Sequence, residues 1–108
     1  MLQPKSKCEF EFYRDQNGSY HYRCNDKKEM LFTSTAFASF DECNERLKLL
    51  VATPSDEIRQ KFRVTKTKQC VFVLRAKNLT LGISIPFNEV MECRVALNQV
   101  MKALIIYR

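Results

Sequence analysis

The sequence predicts an α+β fold made of two tandem β-β-β-α repeats that share one antiparallel sheet with two helices packed on it. Three observations predict it. The first is an echo at an offset of 50 residues, in which Phe12, Ser34, Phe37, Glu42, Cys43 and Leu47 recur as Phe62, Ser84, Phe87, Glu92, Cys93 and Leu97. A period of that size corresponds to one supersecondary unit per copy. The second is a change of hydrophobic period inside each copy, from strict alternation to a helical stripe. The third is size: a single copy of about 45 residues buries too little surface to stand alone, whereas 108 residues with 45% apolar content make one compact domain. The boundaries that follow are repeat 1 over 9–52, a linker over 53–58 and repeat 2 over 59–104, within a single domain over 1–108.

In the first copy Glu9-Phe10-Glu11-Phe12 alternates charged and aromatic residues, the period of a strand with one buried face. Asp15-Gln16-Asn17-Gly18 supplies a turn, with Gly18 free to take positive φ. Ser19 to Cys24 alternates again, placing Tyr20, Tyr22 and Cys24 on one face and His21 and Arg23 on the other, which completes a β-hairpin. Asn25-Asp26-Lys27-Lys28 turns the chain into a third strand from Met30 to Thr35. Beyond Phe37 the apolar positions Phe40, Cys43, Leu47, Leu50 and Val51 follow a helix from about Phe40 to Val51. Ser39 and Glu42 form a capping box at its start. Thr53-Pro54-Ser55-Asp56 ends it, because proline disfavours helical geometry at the residue before it.

The second copy repeats the order: a strand from Lys61 to Thr65, a tighter turn at Lys66 to Gln69, a strand from Cys70 to Arg75, a turn at Lys77-Asn78 and a strand from Thr80 to Ile85. Phe62 and Phe72 read as core. Pro86 ends the third strand, Asn88 is the expected N-cap, and Val90, Cys93, Leu97, Val100, Met101 and Leu104 form the second stripe. Ile105 to Arg108 fits either a helical extension or a strand. Val71-Phe72-Val73-Leu74 is apolar on both faces, as expected of a strand covered on both sides or of one whose second face meets a partner.

These elements carry a family resemblance. Leu74-Arg75-Ala76-Lys77-Asn78 resembles the L-K-A-x-N signature of the small bacterial YegP-like proteins, and Thr33-Ser34 with Phe37 and Ser39 resembles their T-S-x-x-Y-x-S stretch. Leu47 and Leu50, and again Ala96-Leu97-Asn98-Gln99-Val100, align with G-I-x-S-V. The resemblance runs from Phe10 to about Met101 and implies a meander plus helix, in tandem or as a dimer of single copies, around one continuous sheet. It implies no catalytic residues. The chain departs from the pattern at Arg46 and Ala96, which stand where the family has glycine, and it lacks the family's N-G turn before each third strand. An arginine at position 46 either holds the helix away from its neighbour or leaves the interface.

The formal charge of +6 is unevenly spread. Residues 1–54 hold eight basic and eight acidic side chains, while residues 55–108 hold ten basic and four acidic. No carboxylate occurs from Ile58 through Asn88, where Arg59, Lys61, Arg63, Lys66, Lys68, Arg75 and Lys77 accumulate. These seven are the candidate polyanion-binding residues, on the linker, two adjacent strands and their turns. Aromatic residues able to stack on bases are better supplied in the first copy, by Tyr13, Tyr20 and Tyr22.

Other chemistries find less support. Five cysteines, odd in number, lie within periodic segments with no secretory leader before them, the pattern of reduced thiols in a cytoplasmic protein. No C-x2-C pair exists and His21 is the only histidine, so no metal or cofactor is expected. Nucleophilic catalysis lacks a base beside any thiol, and two glycines, Gly18 and Gly82, cannot make a phosphate loop. Cys43 and Cys93 occupy equivalent helix positions, which raises the expectation that a pseudo-twofold brings them together. The apolar runs are far shorter than the roughly 20 residues that a membrane-spanning helix needs.

Leu49, Met91 and Val95 are apolar residues off the buried stripes and are the candidate protein contacts. Together these features predict a small non-enzymatic interaction module that binds an unknown protein partner, as a monomer or weak homodimer. The alternative is nucleic-acid or polyanion binding through the basic second hairpin.

Overall fold

The computed structural model of the chain describes residues 8–27 and 29–107. Lys28, in the expected second turn, and Arg108, in the expected tail, lie outside the described residues. The chain runs β1 (Cys8–Arg14), β2 (Tyr20–Asp26), β3 (Glu29–Thr33), α1 (Phe40–Ala52), a 3-10 turn (Ser55–Glu57), β4 (Arg59–Val64), β5 (Cys70–Ala76), β6 (Leu79–Ser84) and α2 (Val90–Tyr107). The six strands form one antiparallel sheet in the order β1-β2-β3-β6-β5-β4. The second meander thus joins the first through its last strand, not its first, and β4 lies at an outer edge.

Alternation decides which face is buried. Phe10, Tyr22, Cys24, Phe32, Cys70, Phe72 and Leu74 share one core with Cys43, Leu47 and Leu50 of α1 and Cys93, Ala96, Leu97 and Val100 of α2. Both helices therefore cover the same face and leave the other open. Beside the β3–β6 seam the register slips by one residue on each side: Leu31 falls between Phe32, opposite Cys24, and Met30, opposite Asn25. Leu81 is the extra residue between Gly82, opposite Leu74, and Thr80, opposite Arg75. Both leucines are buried, as bulged residues turned into a core can be.

The echoed residues close the backbone. Ser34 Oγ accepts a hydrogen bond from the Tyr22 amide (3.1 Å) and donates to the Thr35 carbonyl (2.8 Å). Ser84 does the same for the Phe72 amide (2.9 Å) and the Ile85 carbonyl (2.8 Å). Phe37 pairs with Tyr20, and Phe87 with Cys70, through isolated bridges. Each Ser-x-x-Phe stretch therefore stitches the segment before a helix to the start of a middle strand.

Ser39 caps α1, its Oγ accepting from the Glu42 amide at 3.2 Å. Asn88 does not cap α2. The helix starts at Val90 and the Glu89 carbonyl accepts its first bond, from the Cys93 amide at 3.2 Å, while the Asn88 side chain accepts from Gln69 (3.0 Å). The turn expected to be tighter in the second half matches the first: the Thr65 amide donates to the Gln69 carbonyl as the Asp15 amide donates to that of Ser19. Lys68 takes the positive φ of Gly18, at 64° against 81°. At the C-terminus the helical alternative holds through Tyr107.

Three residues expected in the core are exposed instead. Phe40, 44% exposed, packs on the rings of Phe12 (4.8 Å) and Tyr20 (6.2 Å) at the sheet's rim. At the corresponding corner the partners are smaller, Val90 for Phe40 and Cys70 for Tyr20, so Phe62 is left 39% exposed and Val90 54%. Leu49 departs in the other direction, half-buried against the core.

Candidate functional site

The exposed corner and the open face meet on β4, whose six residues are all exposed. Arg59 lies opposite Arg75, Lys61 opposite Val73 and Arg63 opposite Val71. Directly opposed residues of an antiparallel pair share a face, so all four cations stand on the open face over Val71, Val73 and the half-covered Ile83, which is opposite Val73. Val71 and Val73 are nonetheless buried, and no helix covers them. Lys61 and Arg63, directly opposite Val73 and Val71, carry aliphatic stems long enough to lie over them.

Seven cations were expected to form one patch, and the structure divides them. Arg59, Lys61, Arg63 and Arg75 share the open face, Lys66 and Lys68 sit in the β4–β5 turn, and Lys77 lies at the opposite end in the β5–β6 turn. Among the described residues none of the seven makes an ion pair. Arg75 is partly engaged, donating to Thr80 Oγ1 at 2.8 Å and to the Asn78 carbonyl at 3.4 Å.

The other half of the open face is largely engaged with itself, although among the described residues Asn25 Oδ1 is buried without a hydrogen-bond partner. Glu11 Oε2 accepts from Arg23 Nε (3.1 Å), Arg23 Nη2 (3.0 Å) and Asn25 Nδ2 (2.7 Å). Tyr13 stacks on His21 at 4.8 Å, carries the Arg23 guanidinium at 4.6 Å and shares a hydrogen bond with Thr33 (2.8 Å). Its ring is therefore already occupied. His21 bridges Asp15 Oδ2 (2.7 Å) and the Ser34 carbonyl (3.2 Å), and its bond to Asp15 holds that carboxyl below its ordinary value. Tyr22, the third aromatic residue noted in the first copy, is fully buried.

On the helix side β4 presents Gln60, Phe62 and Val64, with Val64 75% exposed. The Arg94 guanidinium lies 5.3 Å from the centre of the Phe62 ring. Val90 and Met91, four and three residues before Arg94, lie on its side of α2, and Met91 is 68% exposed. Val95 follows, also exposed. Of the three candidate protein contacts, then, Met91 and Val95 are exposed on the first turns of α2, on the side away from its buried stripe, and Leu49 lies on α1, half-covered. Sequence reading missed Phe62 and Val64, although the smaller residues at positions 70 and 90 were a visible signal that this corner is thin.

The remaining chemistry is muted. Burial pushes the Cys24, Cys43 and Cys93 thiols up, Cys93 to about 12, and Cys8 rises through burial and the charge of Asp26. A protonated thiol is a poor nucleophile. Cys93 lies beside Cys70 and Ser84, and Cys43 beside Tyr22, so the two helix thiols face separate strands. Arg46 leaves the interface and lies over the Phe37 ring at 5.3 Å, while Ala96 is buried. Among the described residues no cluster of three or more His, Cys, Asp or Glu side chains could hold a metal ion, and no helix is long and apolar enough to cross a membrane.

Fold and site together define an α+β protein with one six-stranded antiparallel sheet, two helices on one face and a cationic edge hairpin. Two solved structures share this fold. The UPF0339 protein SO3888 of Shewanella oneidensis superposes with a TM-score of 0.79 at 17% identity, over 91% of this chain and 85% of that one. The YegP protein of E. coli, described as of unknown function, superposes with a TM-score of 0.80 at 14% identity, over 95% of this chain and 90% of that one. The resemblance to YegP-like proteins thus holds at the level of the fold. No protein-family model and no curated protein matches the chain.

Proposed function

We propose that this chain is a small non-enzymatic interaction module of YegP-like kind that binds a protein partner through its β4 hairpin. The observation that carries the reading is the edge strand itself: among the described residues β4 pairs only with β5 and leaves all six of its residues exposed. Such an edge is a template for another chain. Exposed Phe62 and Val64 give the helix side of that edge an apolar contact. The burial of Cys24 and Cys93, which keeps their thiols protonated and poorly nucleophilic, supports a non-enzymatic role.

We further propose that the scaffold is two β-β-β-α units over 9–52 and 59–104, related by rotation about the β3–β6 seam. The hydrogen bonds of Ser34 and Ser84, and the bridges of Phe37 and Phe87, support it by recurring at the same offset of 50.

A pull-down from native lysate, with and without nuclease, tests the function. Protein captured after nuclease treatment and lost on Phe62→Ala supports the reading; capture that depends on nucleic acid overturns it. The second reading, polyanion binding, is favoured by the alignment of Arg59, Lys61, Arg63 and Arg75 on one face. It predicts retention on heparin that falls steeply with salt.

A further inference from the structure

We infer that β4 takes up an extended acidic peptide as a seventh strand of the sheet. The inference rests on the protein-binding reading above and names the chemistry of the partner.

β4 carries two different rows. Arg59, Lys61 and Arg63 point to the open face, and Gln60, Phe62 and Val64 to the helix side. A strand added at this edge, parallel or antiparallel, sets every second side chain opposite one of these rows. The complementary strand therefore carries carboxylates at alternate positions, facing the cations, and apolar or small polar residues between them, facing Phe62 and Val64. No carboxylate of this chain lies between Ile58 and Asn88, and among the described residues Arg59, Lys61 and Arg63 have no ion-pair partner. Arg75, opposite Arg59, adds to the same positive field.

The charge pattern also argues against other occupants. A second copy pairing through its own β4 would set six cations against one another across the strands, and directly opposed like charges destabilise a sheet. A nucleic acid lying on the open face finds phosphate partners there but, among the described residues, no free stacking ring. Phe62 is on the other side against Arg94, and Tyr13 is on β1 under Arg23.

The test is fluorescence anisotropy with a labelled octapeptide that alternates glutamate with valine and threonine. It is compared with a peptide of the same composition whose glutamates are contiguous, with an alternating peptide N-methylated at every backbone nitrogen, and with an oligothymidine. The alternating peptide is expected to bind saturably, to weaken as salt rises and to lose on the order of tenfold in affinity on Lys61→Glu. The N-methylated peptide is expected not to bind. Lys61 is exposed, and an unchanged thermal melt verifies that the variant is folded. Equal binding of the contiguous or N-methylated peptide overturns strand addition, yet leaves the protein-binding reading standing if Lys61→Glu still weakens every peptide. Binding of the oligothymidine alone overturns both. No binding of the alternating peptide at low salt, or its displacement by a concentration-dependent homodimer seen in light scattering, overturns the inference.

Discussion

The ring of Phe32 in β3 lies directly over Gly82 in β6: a Cβ at position 82 would stand 2.7 Å from Phe32 Cε2 and 2.8 Å from Cε1, with Cζ nearer still. The two positions are separated by the same 50 residues as the echoed pairs. Each half thus contributes one of them to the seam, and only one can carry a ring. Phe32 is fully buried and stacks on Phe72 at 5.8 Å. Gly82→Ala is expected to destabilise the fold by about 1–3 kcal/mol, the usual cost of overpacking a dense core. In urea unfolding, Phe32→Leu should recover part of that loss in the double variant although it is itself destabilising, the mark of two residues in contact.

Tyr22 makes a second link across the seam, its hydroxyl donating to the carbonyl of the bulged residue Leu81. Phe72, the corresponding residue of the second half, has no hydroxyl. Tyr22→Phe is therefore expected to cost about 1–3 kcal/mol, since it strands a buried acceptor. Phe72→Tyr should bring no matching gain. Chemical denaturation of the two variants measures both.

The pH dependence follows from groups that stay protonated inside the fold. Burial raises Cys93 from 9.0 to about 12 and also raises Tyr22 and Cys24. Above pH ~9 the unfolded chain releases these protons first, so the folded state binds more protons and stability falls as pH rises. The contribution is complete below pH ~8.5 and declines progressively through about 12. The urea midpoint is expected to be flat from neutral pH to about 8 and to drop above it. On the acid side Asp15, held below 3.8 by His21, contributes above that value and its contribution is lost as pH falls through the depressed one. His21→Gln should reduce this acid dependence, as read from the same titration.

Four described turn positions hold non-glycine residues at positive φ: Lys27 (60°), Lys68 (64°), Lys77 (51°) and Asn78 (66°). A left-handed conformation costs an L-residue with a Cβ roughly 1–2 kcal/mol, partly offset in a glycine variant by the greater freedom of its unfolded chain. Lys68→Gly and Asn78→Gly are each expected to stabilise by about 0.5–1 kcal/mol. The second also restores a glycine at the second position of a two-residue hairpin turn, where it is favoured. Differential scanning calorimetry shows each as a rise in Tm.

Much of the fold was legible because it is local. Alternation in Glu9-Phe10-Glu11-Phe12 and from Ser19 to Cys24 announced strands, and the stripes through Cys43 and Cys93 announced helices. The role of Ser34 and Ser84 was not legible: the recurrence was visible, but that each hydroxyl accepts from a strand amide depends on a partner 12 residues away. The exposure of Phe62 was missed for the same reason. Its burial would need a large neighbour from α2 and from β5, and Val90 and Cys70 are too small.

The sequence by itself determined the types of element, the buried face of most of them and the concentration of cations between Ile58 and Asn88, because period and charge are written residue by residue. Only the tertiary structure decided that β3 pairs with β6, that β4 becomes an edge and that four of seven cations share one face. Strand neighbours are chosen by contacts between distant residues, here Phe32 over Gly82 and Tyr22 to Leu81. Periodicity specifies which side of a strand is buried and leaves open which strand lies beside it.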